Sequence, residues 1–385
     1  MKKQVKSWLF GITAGILSIA FAACEKDRGG ENTDRDATYK AILQAYVDGT
    51  VIPTYKALAE AALEMRTANE ALKTGQSATT IDAAAEAWKQ ARVYWEQSEA
   101  FLFGPVGEDA FVIDGHIDSW PLEKNDIDEV LANEAVGLDG RSCWKKEAEV
   151  IGFHVTEYLL FREGKPRPSL SAAELTYLTA ATDALIWDCV LAYVAWAGEN
   201  NVAPNIRTVF RENPDVLEFY EDVPAFQQFG EKLKNATNYR SFADAFSQIA
   251  AGCADILDEV GTTKIESPFA SNKVEEVESW YSWHSLLDYE DNIVSVRNAY
   301  FGSRGATAPV ANSLSAFVAG ADSDLDARIK AGIDDCITKI RAIGDGNKSF
   351  YEVVRDQINR EQVEAAVEAC INLSGLFMQI ARLVE

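Results

Sequence analysis

The stretch "YKAILQAYVDGTVIPTYKALAEAALEMRTANEALKT", Tyr39 to Thr74, repeats apolar residues every three or four positions as far as Leu72. That is the period of one helix face, not the alternation of a half-buried strand. Pro53 predicts a kink, Gly75 a stop, and Ser77 to Thr80 the N-cap of the next helix. "TIDAAAEAWKQARVYWEQSEAFLFG", Thr80 to Gly104, carries the same period. Downstream it predicts helices over 127–134, 143–161, from Ser169 or Ser171 through Trp196, and over 221–236, 238–261, 280–302, 313–343 and 361–385. Asn-Gly or Asp-Gly turns between alternating runs are missing from the sequence. The expected fold is all-α, two tandem helical bundles packed together. "AGENNVAPN", Ala197 to Asn205, marks the boundary and gives bundles at 39–200 and 201–385. "ARVYWEQSEAFLFG", ending at Gly104, and "NIVSVRNAYFG", ending at Gly302, echo one another as duplicated bundles would. Glycine also stops many unrelated helices.

Ahead of the helices, Lys2, Lys3 and Lys6 precede an apolar run from Trp8 to Phe21, the length of a signal peptide and short for a spanning helix. "FAAC", Phe21 to Cys24, resembles a bacterial lipobox, with Phe21 where Leu is more usual. The resemblance implies cleavage after residue 23 and lipidation of Cys24, so that acyl chains hold the protein to a membrane. Residues 24–38 are polar and Gly-containing and are expected to form a flexible tether. The acidic stretch after Cys24 resembles a surface-export signal of Bacteroidetes lipoproteins. The expected location is the cell envelope, at the outer membrane, facing the periplasm or the surface.

Loss of residues 1–23 removes three lysines and no acid, moving the formal charge from −24 to −27. A polyanion of that size excludes non-specific nucleic-acid binding. Apart from Cys24, the cysteines are Cys143, Cys189, Cys253, Cys336 and Cys370, with no CxxC pair. They sit among apolar residues and read as buried thiols, with one disulfide left open.

Chemistry concentrates in the first half. In "GFHVTEYLLF", Gly152 to Phe161, His154 and Glu157 are three apart and share one helix face. That spacing serves a metal pair, as Glu-x-x-His does in di-iron bundles, or a hydrogen bond inside a bundle. Gly152 would admit a close backbone approach. Glu96 and Glu99 are also three apart, among Trp95, Phe101 and Phe103. "GPVGEDAFVIDGHIDSWPLEKND", Gly104 to Asp126, reads as a functional loop offering Glu108, Asp109, Asp114, His116 and Asp118. One histidine with several carboxylates suits iron, manganese, calcium or zinc and disfavours copper(I).

"AWKQARVYWEQSEAFLFGP", "IDSWPL" (Ile117 to Leu122), "GFHVTEYLLF" and "WHSLLDYEDNIVSVRNAYFG" occur in this order. Together they resemble the imelysin family, also called peptidase M75. The second resembles its Trp-Pro-Leu loop and the third its GxHxxE signature, at Gly152, His154 and Glu157. The resemblance implies a two-domain helical protein outside the cytoplasm with a pocket where the bundles meet. It implies a link to iron uptake or homeostasis and a site of His154, Glu157 and Glu99, with Asp118 and Trp120 as neighbours. Glu96 stands where the family commonly has Gln, and either adds a ligand or marks a tolerant position.

The family name raises peptidase chemistry. "HVTEY" lacks the second histidine of HExxH, although His116 in the loop, or His284, would serve if the fold brought it in. Ser98 lies between the two glutamates without a nucleophile elbow around it. The leading expectation is an envelope lipoprotein holding a divalent metal or iron through His154, Glu157, Glu99, Glu96 and Asp118, with Gly152, Ser98, Trp120 and His116 in the pocket. The alternatives are a metallopeptidase using the same residues, or a pocket that takes haem or another organic ligand through Trp120, Trp280, Trp283 and Tyr289.

Overall fold

The computed structural model describes residues 31–107, 113–133, 135 and 137–384. The signal segment, Cys24, Glu108 and Asp109 lie outside them. The fold is all-α, as the helical period predicts. The first long run is two α-helices, Glu31–Tyr46 and Ile52–Thr74, joined by a π-helical turn, Val47–Val51. Residues 31–38, expected in the tether, form the opening turns of the first. Pro53 falls in the first turn of Ile52–Thr74, directly after the π-helical turn. The second half repeats this construction: an α-helix Phe242–Glu259, a π-helical turn Val260–Glu266, and a helix Ser267–Ser271 with Pro268 in its first turn.

The Ala172–Ala197 helix is the axis of the first half, started by a Ser171/Glu174 capping box and buried on nearly every side. It is long and apolar enough to cross a membrane, but Ile52–Thr74 and Gly152–Leu160 sheathe it, as a core helix requires. In the second half, Phe242–Glu259, Ser285–Phe301, Ser323–Ile343 and Arg360–Gln379 pack on one another. Several packings cross between the halves, among them Glu31–Tyr46 and the 3₁₀ turn Glu99–Phe101 on Phe242–Glu259, and Ala78–Glu96 on Ser285–Phe301. At this seam a Cβ on Gly49 would meet the Gly302 carbonyl oxygen at 2.6 Å, so only glycine allows the approach.

Several expectations change. The 143–161 run is broken at Gly152, whose φ of +82° starts the Gly152–Leu160 helix abruptly. That helix ends in a small hairpin, Phe161–Arg162 against Lys165–Pro166, with Glu163 and Gly164 both at positive φ, as a two-residue hairpin turn demands. The loop after Gly104 contains a short helix, Ile113–Asp118. The helix expected over 280–302 begins at Ser285; Ser279 and Trp283 adopt positive φ and keep the preceding segment irregular. The acidic run 273–280 buries Val277, Glu278 and Ser279. Cys143, Cys189, Cys253, Cys336 and Cys370 are buried free thiols.

Candidate metal centre

Trp88, Arg92, Trp95 and Glu96 fall on the inward face of the Ala78–Glu96 helix, and Arg92 is completely buried. A guanidinium in such a place must be surrounded by acids. Its Nη1 pairs with Asp118, its Nη2 lies 2.5 Å from Glu96 and 2.7 Å from Glu278, and its Nε lies 3.6 Å from Asp288. Burial opposes its charge, but these four carboxylates hold it firmly protonated. The hub therefore joins the Ile113–Asp118 helix, the irregular 277–284 segment and the Ser285–Phe301 helix.

His154 stands beside this hub. The Trp88 indole donates to the Phe153 carbonyl at 3.0 Å, and the Tyr177 hydroxyl to the Val150 carbonyl at 2.6 Å, fixing the approach to the Gly152–Leu160 helix. A Cβ on Gly152 would meet the carbonyl oxygens of Ile117 and His116 at 2.5 and 2.6 Å, so this glycine lets the Asp118-bearing helix close over the motif. His154 Nδ1 lies 3.1 Å from Glu157 Oε2 and Nε2 lies 2.9 Å from Asp118 Oδ1. Two carboxylates on two ring nitrogens call for a proton on each. Burial lowers the pKa of this imidazole, but Asp118 and the hydrogen bonds overcome it and push the value up to about 9. Trp120 packs on the ring with centroids 4.6 Å apart. Glu157 Oε1 accepts from the Ser282 N–H at 2.8 Å and the Ser282 hydroxyl at 2.7 Å. Both oxygens of Glu157 are thus occupied in holding the ring and the opposite segment.

In front of this layer is a cavity of about 490 Å³. Glu99, Asp114, Asp118, Asp255, Glu259 and Glu278 give it an acidic wall, with Trp120 and Phe103 as aromatic surface. Lys264, on the second π-helical turn, is the one lysine or arginine of that wall among the described residues. Burial pushes Asp114 up to about 7, with Asp118 and Glu259 adding to it. Burial also raises Glu99 and Glu96 well above the carboxylate range, against the pull of Lys264 on both and of Arg92 on Glu96. Asp118 behaves oppositely: burial would raise it, but Arg92 and His154 hold it far below the usual range. Its other oxygen accepts from the Trp95 indole at 2.6 Å.

Two sets of ligand atoms come within 4.8 Å of one another: Asp118, His154 and Glu278, and Glu96, Glu99 and Asp118. Asp118 belongs to both. The donors are hard oxygens with one imidazole, a set suited to iron, manganese or zinc. Occupancy would require His154 to give up a proton, because metal ligands bind deprotonated.

The fold thus brings together His154, Glu96, Glu99, Asp118, Trp120 and Gly152 of the predicted residues. Glu99 does so from a short 3₁₀ turn, Glu99–Phe101, because the α-helix ends at Glu96. Glu157 adjoins the group but faces Ser282. Ser98 is buried and its hydroxyl donates to the Trp95 carbonyl at 2.7 Å. His116 turns away to Asp188, 3.4 Å distant, and His284 pairs with Asp288 at 2.8 Å. Trp280 and Trp283 stack with Tyr351, and Tyr289 meets Phe350 edge-on. Sequence reasoning missed Arg92, Lys264, Glu278 and Asp288. Arg92 alone carried a signal, a cation four residues from Trp88 and four from Glu96 on an otherwise buried stripe.

The Imelysin (Peptidase M75) family model matches residues 51–377. Iron-regulated protein A of Synechococcus elongatus is 27% identical over 263 residues, which make up 68% of this chain and 64% of that protein's length. The crystal structure of a protein described as an iron-regulated protein A precursor from Parabacteroides distasonis superposes with a TM-score of 0.73 and 29% identity, covering 91% of this chain and 96% of that one. An imelysin-like protein from Psychrobacter arcticum, 13% identical, shares the fold with a TM-score of 0.64 over 92% of this chain and 95% of its own.

Proposed function

The chain belongs to the imelysin family, and from that premise we propose that it binds a hard metal cation, iron foremost, in the acidic cavity faced by Asp118. The observation that carries this reading is the convergence of Asp118, His154 and Glu278, and of Glu96, Glu99 and Asp118, each within 4.8 Å. A second feature supports it: Glu278 Oε2 is buried at the cavity wall without a hydrogen bond, facing only the Lys264 ammonium at 3.4 Å. Acids outnumber cations around the wall, so an added positive charge lowers the electrostatic cost of keeping them buried. Relatives named for iron regulation favour iron over other hard cations.

The role that follows is in iron uptake or homeostasis at the cell envelope, with the chain tethered to a membrane by lipid on Cys24. Palmitate labelling of the full chain, lost in Cys24→Ser, tests the tether; equal labelling of both would remove it. Hydrolysis gains nothing from the geometry, since a carboxylate faces each nitrogen of His154 and Ser98 Oγ is committed to a backbone carbonyl. An aromatic ligand pocket gains as little, since Trp280 and Trp283 are stacked on Tyr351 and Tyr289 meets Phe350 edge-on.

Elemental analysis of the full chain after incubation with Fe²⁺, Mn²⁺ and Zn²⁺ tests the cation reading. About one equivalent is expected, lost in Asp118→Asn and reduced in Glu99→Gln, whose carboxylate has few other duties. Wild-type protein that stays empty under all three ions would overturn it.

A further inference from the structure

Lys264 is held unlike the ion-paired surface lysines of the described residues. Lys56, Lys124 and Lys330 close to 2.6, 2.6 and 2.7 Å on one neighbouring acid each. The Lys264 ammonium has no such short bond. It hangs 3.4 Å from Glu278, 3.9 Å from Glu99, and 4.0 Å from each of Glu96 and Glu259. It occupies the middle of a carboxylate cage rather than one corner. Its hydrogen bond to Glu278 Oε1 is long, 3.4 Å, so the field of several acids does most to place the charge.

We propose that the Lys264 ammonium is a built-in counter-ion standing in the cation's own place, and that an entering metal ion must displace it. This rests on the cation reading above and adds to it how the site chooses among ions. Glu278, Glu99 and Glu96 belong to the two convergent ligand sets, and the ammonium lies within 4.0 Å of all three. A hard ion at ~2.0–2.6 Å from oxygen would draw the same carboxylates inward over the space the ammonium fills. The two occupants are therefore mutually exclusive.

An exit exists. The cavity in front of Lys264 holds about 490 Å³, and the lysine stem is four carbons of flexible chain. Glu259 is the most exposed of the four acids, with 42% of its side chain open to solvent, and it offers the displaced ammonium a landing at the mouth. The lysine springs from the π-helical turn Val260–Glu266, an irregularity common at functional sites.

The consequence is a threshold in charge. A tethered competitor is present at high effective concentration. Potassium or sodium brings no more charge than the ammonium it would replace and gains nothing by entering. A divalent or trivalent ion brings more and wins. Lys264 thus determines specificity, setting the minimum charge that the site accepts without itself binding the ion.

The test is a Mn²⁺ titration of the full chain, read by loss of the free-ion EPR signal, with and without excess K⁺. Lys264→Met and Lys264→Gln should bind Mn²⁺ roughly tenfold or more tighter than wild type, and K⁺ should compete in them alone. Lys264→Arg, which keeps the charge, should not tighten. Equal or weaker Mn²⁺ binding by folded Met and Gln variants would overturn the proposal while leaving the cation reading intact. No Mn²⁺ binding by wild type or any variant would overturn both. A second readout needs no variant: amine acylation followed by mass spectrometry should label Lys264 more heavily once wild-type protein is loaded with Mn²⁺. Unchanged or reduced labelling on loading counts against displacement.

Discussion

Glu157 accepts two hydrogen bonds from Ser282, one from its N–H at 2.8 Å and one from its hydroxyl at 2.7 Å, across a sequence gap of 125 residues. The glutamate of the GxHxxE motif is therefore a clasp between the two halves as well as the support of His154. Glu157→Ala leaves a buried N–H and an imidazole without their acceptor, while the Ser282 hydroxyl keeps the Ser279 carbonyl at 3.1 Å. It should destabilise the metal-free protein by about 2–4 kcal/mol, and Ser282→Ala by about 1 kcal/mol. Urea melts in the presence of a chelator check this. A residue whose only duty was to bind metal would leave those melts unchanged.

Gly152→Ala meets two obstacles at once, a φ of +82° and carbonyl oxygens at 2.5 and 2.6 Å from the new Cβ. A cost of about 1–3 kcal/mol is expected from the backbone conformation, with more from the clash. The displaced segment is the one that carries Asp118. Metal content should therefore fall more steeply than the melting temperature alone would suggest, and parallel elemental analysis and thermal melts of the variant decide the point.

Arg92 compensates Glu96, Asp118, Glu278 and Asp288 together. Arg92→Met should cost about 3–5 kcal/mol, the usual penalty for orphaning a buried ion pair. Arg92→Lys should recover little of it, because one ammonium cannot reproduce three nitrogens aimed at four acids. Chemical denaturation of the two variants measures both effects.

Asp291 supplies a pH signature away from the metal centre. Burial raises its carboxyl to about 7, Asp288 and Glu290 add to the shift, and the Gln97 amide, donating at 2.7 Å, opposes it. A folded-state value above the unfolded one means that folding favours the protonated acid. The stability this gives is complete below about pH 4 and is lost as pH rises through about 7. Asp291→Asn should match wild type near pH 4 and exceed it at pH 8 by up to about 4 kcal/mol. Parallel melts at the two pH values would refute this if the variant gained nothing at pH 8.

The helical fold was legible because amphipathic spacing is local: Tyr39 to Leu72 states it within one window. The His154–Glu157 contact was legible for the same reason, since three residues along a helix fix both partners. Glu278 was not. It lies in "KVEEVESW", where neighbouring glutamates give the composition of a solvated face, and its partner Arg92 is 186 residues away. Lys264 was hidden differently: "VGTTKIE" reads as an ordinary helix continuation, and only the wider π-helical turn aims its ammonium into the cage. Asp118 and Trp120 emerged through family resemblance rather than spacing, because a loop with several acids does not say which one turns inward.

The distance between Arg92 and Glu278 along the chain also has a meaning in time. Glu96 and Asp118 emerge from the ribosome soon after Arg92, but Glu278 follows 186 residues later. At ~5–20 residues per second that is a delay of about 10–40 s. Throughout it, a guanidinium destined for complete burial has only the two acids of its own half. The first half can form its helices early, yet the layer behind the cavity closes only when nearly three quarters of the protein has been made.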